Sequence, residues 1–370
     1  MKHLLRIVNG IVFILLVSSC SSEWVPDKIS VNIPDVERDL SFADMCENLA
    51  IIPLENNRDC MLSNVRKMCI SNEGYYIYNE GASSEVLKFN LDGSFNRRIG
   101  KLGRSQSEYA FVNDFALDTT SNKVAILMQN LVKLYTTKGE YLETVKLESN
   151  DRIQKIETTP RGFIGCSSHV GSPFNLYVFN KDFKLQNKLL ESDGMITSVL
   201  SYEPNPVQVY NDKICYFDFH ESIFYVFSLN DVSSVSQYQL NSDNILTKEK
   251  VVDANYYESS YDCVVSSRYT GSKIVGIMNY DKSICYFVFD LINNKFHVFS
   301  CLDWPVTISS YYNGYYYASV SSEVVADIIN NESRYPTQLV KKVRNALNQL
   351  EHNPSALDNY MIIRFKIKEI

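Results

Sequence analysis

Asn72-Glu73-Gly74, Tyr75-Tyr76-Ile77-Tyr78, Val86-Leu87-Lys88-Phe89, Asn90-Leu91-Asp92-Gly93, Phe95-Asn96-Arg97-Arg98-Ile99: this stretch decides the fold. A polar turn introduces a short run of aromatic and β-branched residues. A second run follows, and Asp92-Gly93 signals a tight hairpin into a third. Lys67-Met68-Cys69-Ile70 supplies one more strand ahead of the first turn. The same four-part unit then returns as Asp114-Phe115-Ala116-Leu117, Val124-Ala125-Ile126-Leu127, Leu131-Val132-Lys133-Leu134-Tyr135 and Tyr141-Leu142-Glu143-Thr144-Val145. Weaker copies begin at Ile153, Val207 and Cys263, and a sixth begins at Val306.

Four antiparallel strands recurring every ~40–60 residues form the pattern of a propeller blade. Both faces of each unit are apolar. A unit cannot cover itself, but units stacked around an axis cover one another. The predicted fold is all-β: a six-bladed β-propeller of four-stranded antiparallel blades over residues 48–370. Leu49-Ala50-Ile51-Ile52-Pro53-Leu54 and the run Tyr360 to Ile367 are lone strands at opposite ends. They are expected to pair in the last blade and leave no long edge open. Leu339, Val343, Leu347 and Leu350 repeat at helical spacing, between Pro336-Thr337 and Asn353-Pro354, with a shorter helix expected over Glu323 to Ile329. This predicts a helical insertion in the last blade over about 323–352, its apolar stripe packed on the propeller's side or rim.

The N-terminus reads as an export signal. Lys2, His3 and Arg6 precede the apolar run Ile11 to Val17, and Ser18-Ser19-Cys20 follows directly. That run is short of the ~18–20 apolar residues of a spanning helix. Residues 1–19 are therefore expected to be a lipoprotein signal peptide, and Cys20 the lipidated residue that moors the protein to a bilayer in the cell envelope, at the outer membrane. Residues 20–47, with Pro26 and Pro34 among charged side chains, read as a polar tether and lead-in that need not be packed.

Composition removes other classes. With 370 residues, 45% hydrophobic and 21% charged, the chain is too apolar for disorder. A net charge of −7 leaves no cationic excess for nucleic acid. Beyond Cys20 there are eight cysteines, several inside apolar strands and none in a C-x-x-C pair. They read as buried free thiols rather than a zinc knuckle, although an even number in an exported chain also permits disulfides.

With these elements placed, the chain resembles the six-bladed β-propeller lipoproteins of Gram-negative anaerobes, which are distantly similar to NHL-repeat propellers. Three features carry the resemblance: the Ile51-Ile52-Pro53-Leu54-Glu55 strand; Phe89-Asn90-Leu91-Asp92-Gly93-Ser94-Phe95 leading to Arg98-Ile99-Gly100-Lys101-Leu102-Gly103 and Ser107-Glu108-Tyr109; and the closing Arg364-Phe365-Lys366. Gln106-Ser107 stands where that family usually has Gly-Pro. The resemblance implies binding or scaffolding in a surface nutrient-acquisition system more than chemistry.

Nucleotide-loop, nucleophile-elbow, zinc-protease and calcium-loop motifs are absent from the sequence, so no catalytic residue, cofactor or metal is assigned. Propeller ligands usually meet the turns between second and third strands and the links between blades. Those turns place Gln129, His169, the cluster Asp218, His220 and Glu221, and the pair Tyr280 and Asp281 as candidate ligand-binding residues. A histidine beside carboxylates can act as a base, and the same cluster can simply be a solvated turn. Arg98, Lys101 and Arg104 form a positive island suited to an anionic sugar or a partner's carboxylates; Glu108 and Tyr109 in the same loop equally suit a pin between blades. The expected function is non-catalytic binding of a glycan, peptide or envelope protein; the alternative is a glycan-active hydrolase or lyase using the same turns.

Overall fold

The computed structural model describes residues 27–40, 42–81, 84–167, 171–192, 205–251, 261–301, 306–335, 337–348 and 359–368. The chain begins with β1 (Asp27–Asn32), β2 (Arg38–Leu40), a short helix α1 (Phe42–Met45) and β3 (Cys46–Pro53). Blade one follows as β4 (Val65–Ser71), β5 (Gly74–Asn79), β6 (Glu85–Phe89) and β7 (Phe95–Ile99). Blade two is β8 (Asp114–Asp118), β9 (Lys123–Met128), β10 (Leu131–Thr136) and β11 (Tyr141–Lys146). Blade three is β12 (Lys155–Thr159), β13 (Gly162–Cys166), β14 (Phe174–Asn180) and β15 (Leu185–Glu191). Blade four is β16 (Val207–Tyr210), β17 (Lys213–Asp218), β18 (Ile223–Ser228) and β19 (Asp231–Asn241), followed by a short helix α2 (Lys248–Val251). Blade five is β20 (Cys263–Tyr269), β21 (Lys273–Tyr280), β22 (Ser283–Asp290) and β23 (Lys295–Cys301). Blade six combines β24 (Ile308–Tyr312), β25 (Tyr315–Val320), β26 (Met361–Ile367) and the early strand β3.

The first strands β4, β8, β12, β16, β20 and β24 neighbour one another in that order and return to β4, closing a ring around an axis. The core is divided accordingly into six hydrophobic clusters, one at each blade interface. Strand β9 shows how the alternation produces this. Val124, Ile126 and Met128 face blade one, while Ala125 and Leu127 face blade three. Each fully buried side chain of this kind contributes about 1.5–3 kcal/mol relative to exposure, so a strand apolar on both faces is stable only between two neighbours.

The ring is sealed as the terminal strands foretell. Strand β3 pairs antiparallel with β26, Ile51 opposite Ile363 and Ile52 opposite Ile362. Asn359 locks the seam. Its side-chain oxygen accepts from Leu62 N (3.1 Å) and Tyr360 N (2.8 Å), and its amide donates to the carbonyls of Glu55 (2.8 Å) and Cys60 (3.1 Å). A hook joins the end of this fourth strand to the next blade. Glu55 N donates to Gly93 O (2.9 Å), and the Glu55 carboxylate accepts from Phe95 N (2.8 Å). Glu148 repeats it between blades two and three, with Phe183 O and Leu185 N. Gly93 sits at φ +88°, and a Cβ there would lie 2.0 Å from Pro53 O, so the close approach of blades six and one requires glycine.

The lead-in differs from its reading as a stretch that need not be packed. Strand β1 lies parallel to β19, from Asp27 opposite Ser236 to Asn32 opposite Asn241, and β2 lies parallel to β23. Blades four and five therefore carry a fifth strand. Ile29, Val31 and Ile33 explain the packing, because they enter the cluster between those blades. The insertion forms α3 (Ser322–Asn330) and α4 (Thr337–Asn348) between β25 and β26. Val325, Ile328, Leu339, Val340 and Val343 pack onto blades five and six, and Lys342 Nζ donates to Cys46 O (3.0 Å). Cys20 and the proposed signal lie outside the described residues, as do Leu350 and His169.

Candidate functional site

The turns between second and third strands share one face, called the upper face here, with the links between blades. Gln129 N donates to Asn113 Oδ1 (2.6 Å), Ser222 Oγ to Leu246 O (2.9 Å) and Asp281 N to Asp262 Oδ1 (2.9 Å), each joining a turn to a link.

Asp218, His220 and Glu221 occupy one upper turn, and the carboxylate is committed to shaping it. Asp218 Oδ1 accepts from His220 N (3.1 Å) and Glu221 N (3.3 Å), while the His220 ring stands 3.9 Å from it. Burial pushes the Asp218 carboxyl above its ordinary range, and His220 and the two backbone N–H groups oppose that rise. Tyr280 and Asp281 occupy the corresponding turn of blade five. Phe219 and Tyr280 pack on the same hydrophobic cluster, so these two turns adjoin. Burial raises the Tyr280 hydroxyl, helped by Asp262, Asp35, Asp281 and Asp243. Gln129 is exposed at φ +53° in the turn of blade two.

The positive island is largely neutralised. Arg98 Nε pairs with Glu85 (2.9 Å), and its Nη atoms engage Asp59 Oδ1 (3.2 Å) and Asp59 O (2.7 Å). Lys101 pairs with Glu108 (3.0 Å), whose carboxylate also accepts from Ser105 N (3.0 Å). These bonds hold the Glu108 carboxyl near 2, the Ser105 N–H first and Lys101 second. Tyr109 is fully buried against Tyr135 at the interface of blades one and two. Arg104 is exposed. The structure thus does not bring Arg98, Lys101 and Arg104 together into an uncommitted cationic surface.

The densest charged cluster lies instead near the axis, in buried residues that turn-based reasoning missed. Lys67 of blade one spends its ammonium on Asp114 Oδ2 (3.0 Å) of blade two, and on Ile156 O (2.8 Å) and Glu157 Oε1 (2.9 Å) of blade three. Asp114 Oδ2 also accepts from Ile156 N (2.8 Å). Burial works against the charge on Lys67, but Asp114 and Glu157 outweigh it and hold the ammonium above its ordinary range. Burial raises the Glu157 carboxyl against the pull of Lys67. Arg268 of blade five lies within electrostatic reach of Glu157 and donates to Ser309 O (2.6 Å) of blade six. In blade four, Gln208 joins blade five by donating to Ser267 O (3.1 Å) and accepting from Tyr269 N (2.6 Å). Charged residues thus converge near the axis from blades one, two, three and five. The one local sign was a charged residue inside each of these first strands, and its partners come from other blades.

Residues 28–366 match the family model described as a domain of unknown function, DUF4934. The chain belongs to the DUF4934 family. No curated protein matches it by sequence. Among solved structures, it is similar to a protein of Bacteroides fragilis described as exported, at TM-score 0.71 and 16% identity, covering 92% of this chain and 100% of that one. It is also similar to a member of the DUF4221 family from Bacteroides vulgatus, at TM-score 0.57 and 9% identity, covering 88% and 98%. At these identities the likeness concerns the fold alone.

Proposed function

We propose that this DUF4934 propeller is a lipid-anchored protein of the cell envelope, at the outer membrane, that binds a ligand or a partner protein without catalysis. On this reading it is distantly akin to NHL-repeat propellers and works in surface nutrient acquisition. The apolar run before Ser18-Ser19-Cys20 supports the anchor. The exported description of the Bacteroides fragilis neighbour is in keeping with it. The observation that carries the binding role is the state of Asp218. One oxygen of this upper-face carboxylate, Oδ1, is taken by the backbone N–H groups of its own turn, which supports a structural role for Asp218 over a catalytic one. Metabolic labelling with an alkyne fatty acid tests the anchor: label is expected on the native protein and not on Cys20→Ser. Incubation of the purified protein with glycan and peptide arrays tests the role. Retained ligand with no product is expected, and binding is expected to survive Asp218→Asn. Product formation abolished by Asp218→Asn or His220→Gln would instead make the protein a glycan hydrolase or lyase.

A further inference from the structure

Resting on the binding role just proposed, the axis also points to what is bound. Among the described residues, the first strands carry four cations, Arg66, Lys67, Lys155 and Arg268. Against them stand Asp114 and Glu157, together with Asp118, whose carboxylate caps its own turn through Thr120 N and Ser121 N. Lys67 is saturated by both axial acids, and Arg268 is tied to blade six. Arg66 and Lys155 remain. Among the described residues, no hydrogen bond or ion pair holds either head group, and both residues are half-buried.

Their position makes a site of them. Lys155 opens β12, and Arg66 is the second residue of β4, at the irregularity between Val65 and Lys67. Both therefore lie at the upper ends of first strands, beside the contacts that join Lys67 to Asp114 and Glu157. Their chain neighbours touch, Lys67 Nζ donating to Ile156 O at 2.8 Å, which brings the two strand heads together. Burial lowers the Lys155 ammonium, Asp114 opposes that fall, and Arg66 and Lys67 add to it. Beside them Asp114 Oδ1 is buried with no hydrogen-bond partner, although Asp114 is within electrostatic reach of Lys155. A group that accepts from Lys155 and also donates to Asp114 would satisfy both.

We propose that the upper mouth of the axis is a binding site for a small hydroxylated carboxylate of the sugar-acid class, its carboxylate held by Arg66 and Lys155. A planar two-oxygen anion matches the guanidinium fork and relieves the repulsion between the two cations. A hydroxyl on the same molecule supplies both the acceptor and the donor that this region lacks.

Titration calorimetry of the full-length protein in detergent tests this with sodium glucuronate, sodium phosphate and glucose. Glucuronate is expected to bind, and glucose to bind at least tenfold more weakly. Arg66→Gln and Lys155→Gln are each expected to weaken glucuronate at least tenfold, with Lys155→Arg restoring most of it and melting temperatures unchanged. Phosphate binding without glucuronate binding would overturn the ligand class. Glucuronate affinity that is unchanged in Arg66→Gln and Lys155→Gln but lost in Lys101→Gln/Arg104→Gln would overturn the site in favour of the rim. An array ligand that binds natively and is indifferent to Arg66 and Lys155 would overturn this site while leaving the binding role standing.

Discussion

Replacing Lys67 with Met keeps most of the side-chain volume and removes the ammonium, which stands 5.7 Å from the centre of the Phe115 ring. Three bonds vanish together, to Asp114, Glu157 and the Ile156 carbonyl. Lys67 and Asp114 are 3% and 1% exposed in their side chains, so water cannot replace the lost partner there. Removing one member of a buried ion pair costs about 3–5 kcal/mol, chiefly because the remaining charge stays buried and uncompensated. Asp114 keeps the Ile156 N–H, and Glu157 is the more open acid at 19%, which favours the lower half of that range. Urea unfolding followed by both fluorescence and circular dichroism measures the loss, provided the two transitions coincide. The deficit should also depend on pH. A carboxyl whose folded pKa lies above its unfolded value contributes most when protonated, and that contribution is lost as pH rises through the folded pKa. Glu157 is already raised by burial, and removing Lys67 raises it further. The deficit of Lys67→Met should therefore be largest at pH 8 and shrink as pH falls toward the ordinary carboxyl range. A loss below about 1 kcal/mol, or an equal loss in the Asp114→Asn/Glu157→Gln background, would refute the reasoning.

Asn359→Ala should cost about 2–3 kcal/mol by leaving buried backbone groups of the seam unbonded, and a denaturation midpoint equal to the native one would contradict this. Gly93→Ala should destabilise by at least about 1–3 kcal/mol, through its positive φ and the collision with Pro53 O; Gly171→Ala, at φ +86° with open space around the added methyl, should cost less in the same melt. Burial pushes the thiols of Cys69 and Cys166 up to about 12 and that of Cys285 to about 11. Native alkylation at pH 8 should spare these three and proceed after unfolding, as read by peptide mass spectrometry.

The blades were readable because strands such as β5 and β10 carry their own punctuation: an apolar run bounded by turn residues reports itself locally. The seam was readable for a related reason, since two lone apolar strands at opposite ends have few other places to go. The packing of β1 was not, because Lys28-Ile29-Ser30-Val31-Asn32 offers only two apolar residues between prolines and charges, and its partner, β19, is distant in sequence. The site was less legible than the fold. Asp218-Phe219-His220-Glu221 looks reactive as a string, yet a backbone that turns there takes up one oxygen of the carboxylate. Conversely, nothing local distinguishes Lys67 in an apolar strand from a solvated lysine. Its meaning depends on Asp114 and Glu157, which arrive from two other blades.

The seam also constrains the order of events in folding. Ile51 meets Ile363 across more than three hundred intervening positions, so the sixth sheet cannot exist until the final strand has been made. Bringing such distant ends together costs about 5 kcal/mol of chain entropy on a logarithmic scale, which also makes this contact slow to form. Until that contact forms, β3, and β26 once it is made, present unpaired apolar edges, ready templates for a neighbouring molecule. Removing the last ten residues would therefore strand the beginning of the chain along with its end, and the outcome should be aggregation rather than a slightly smaller ring.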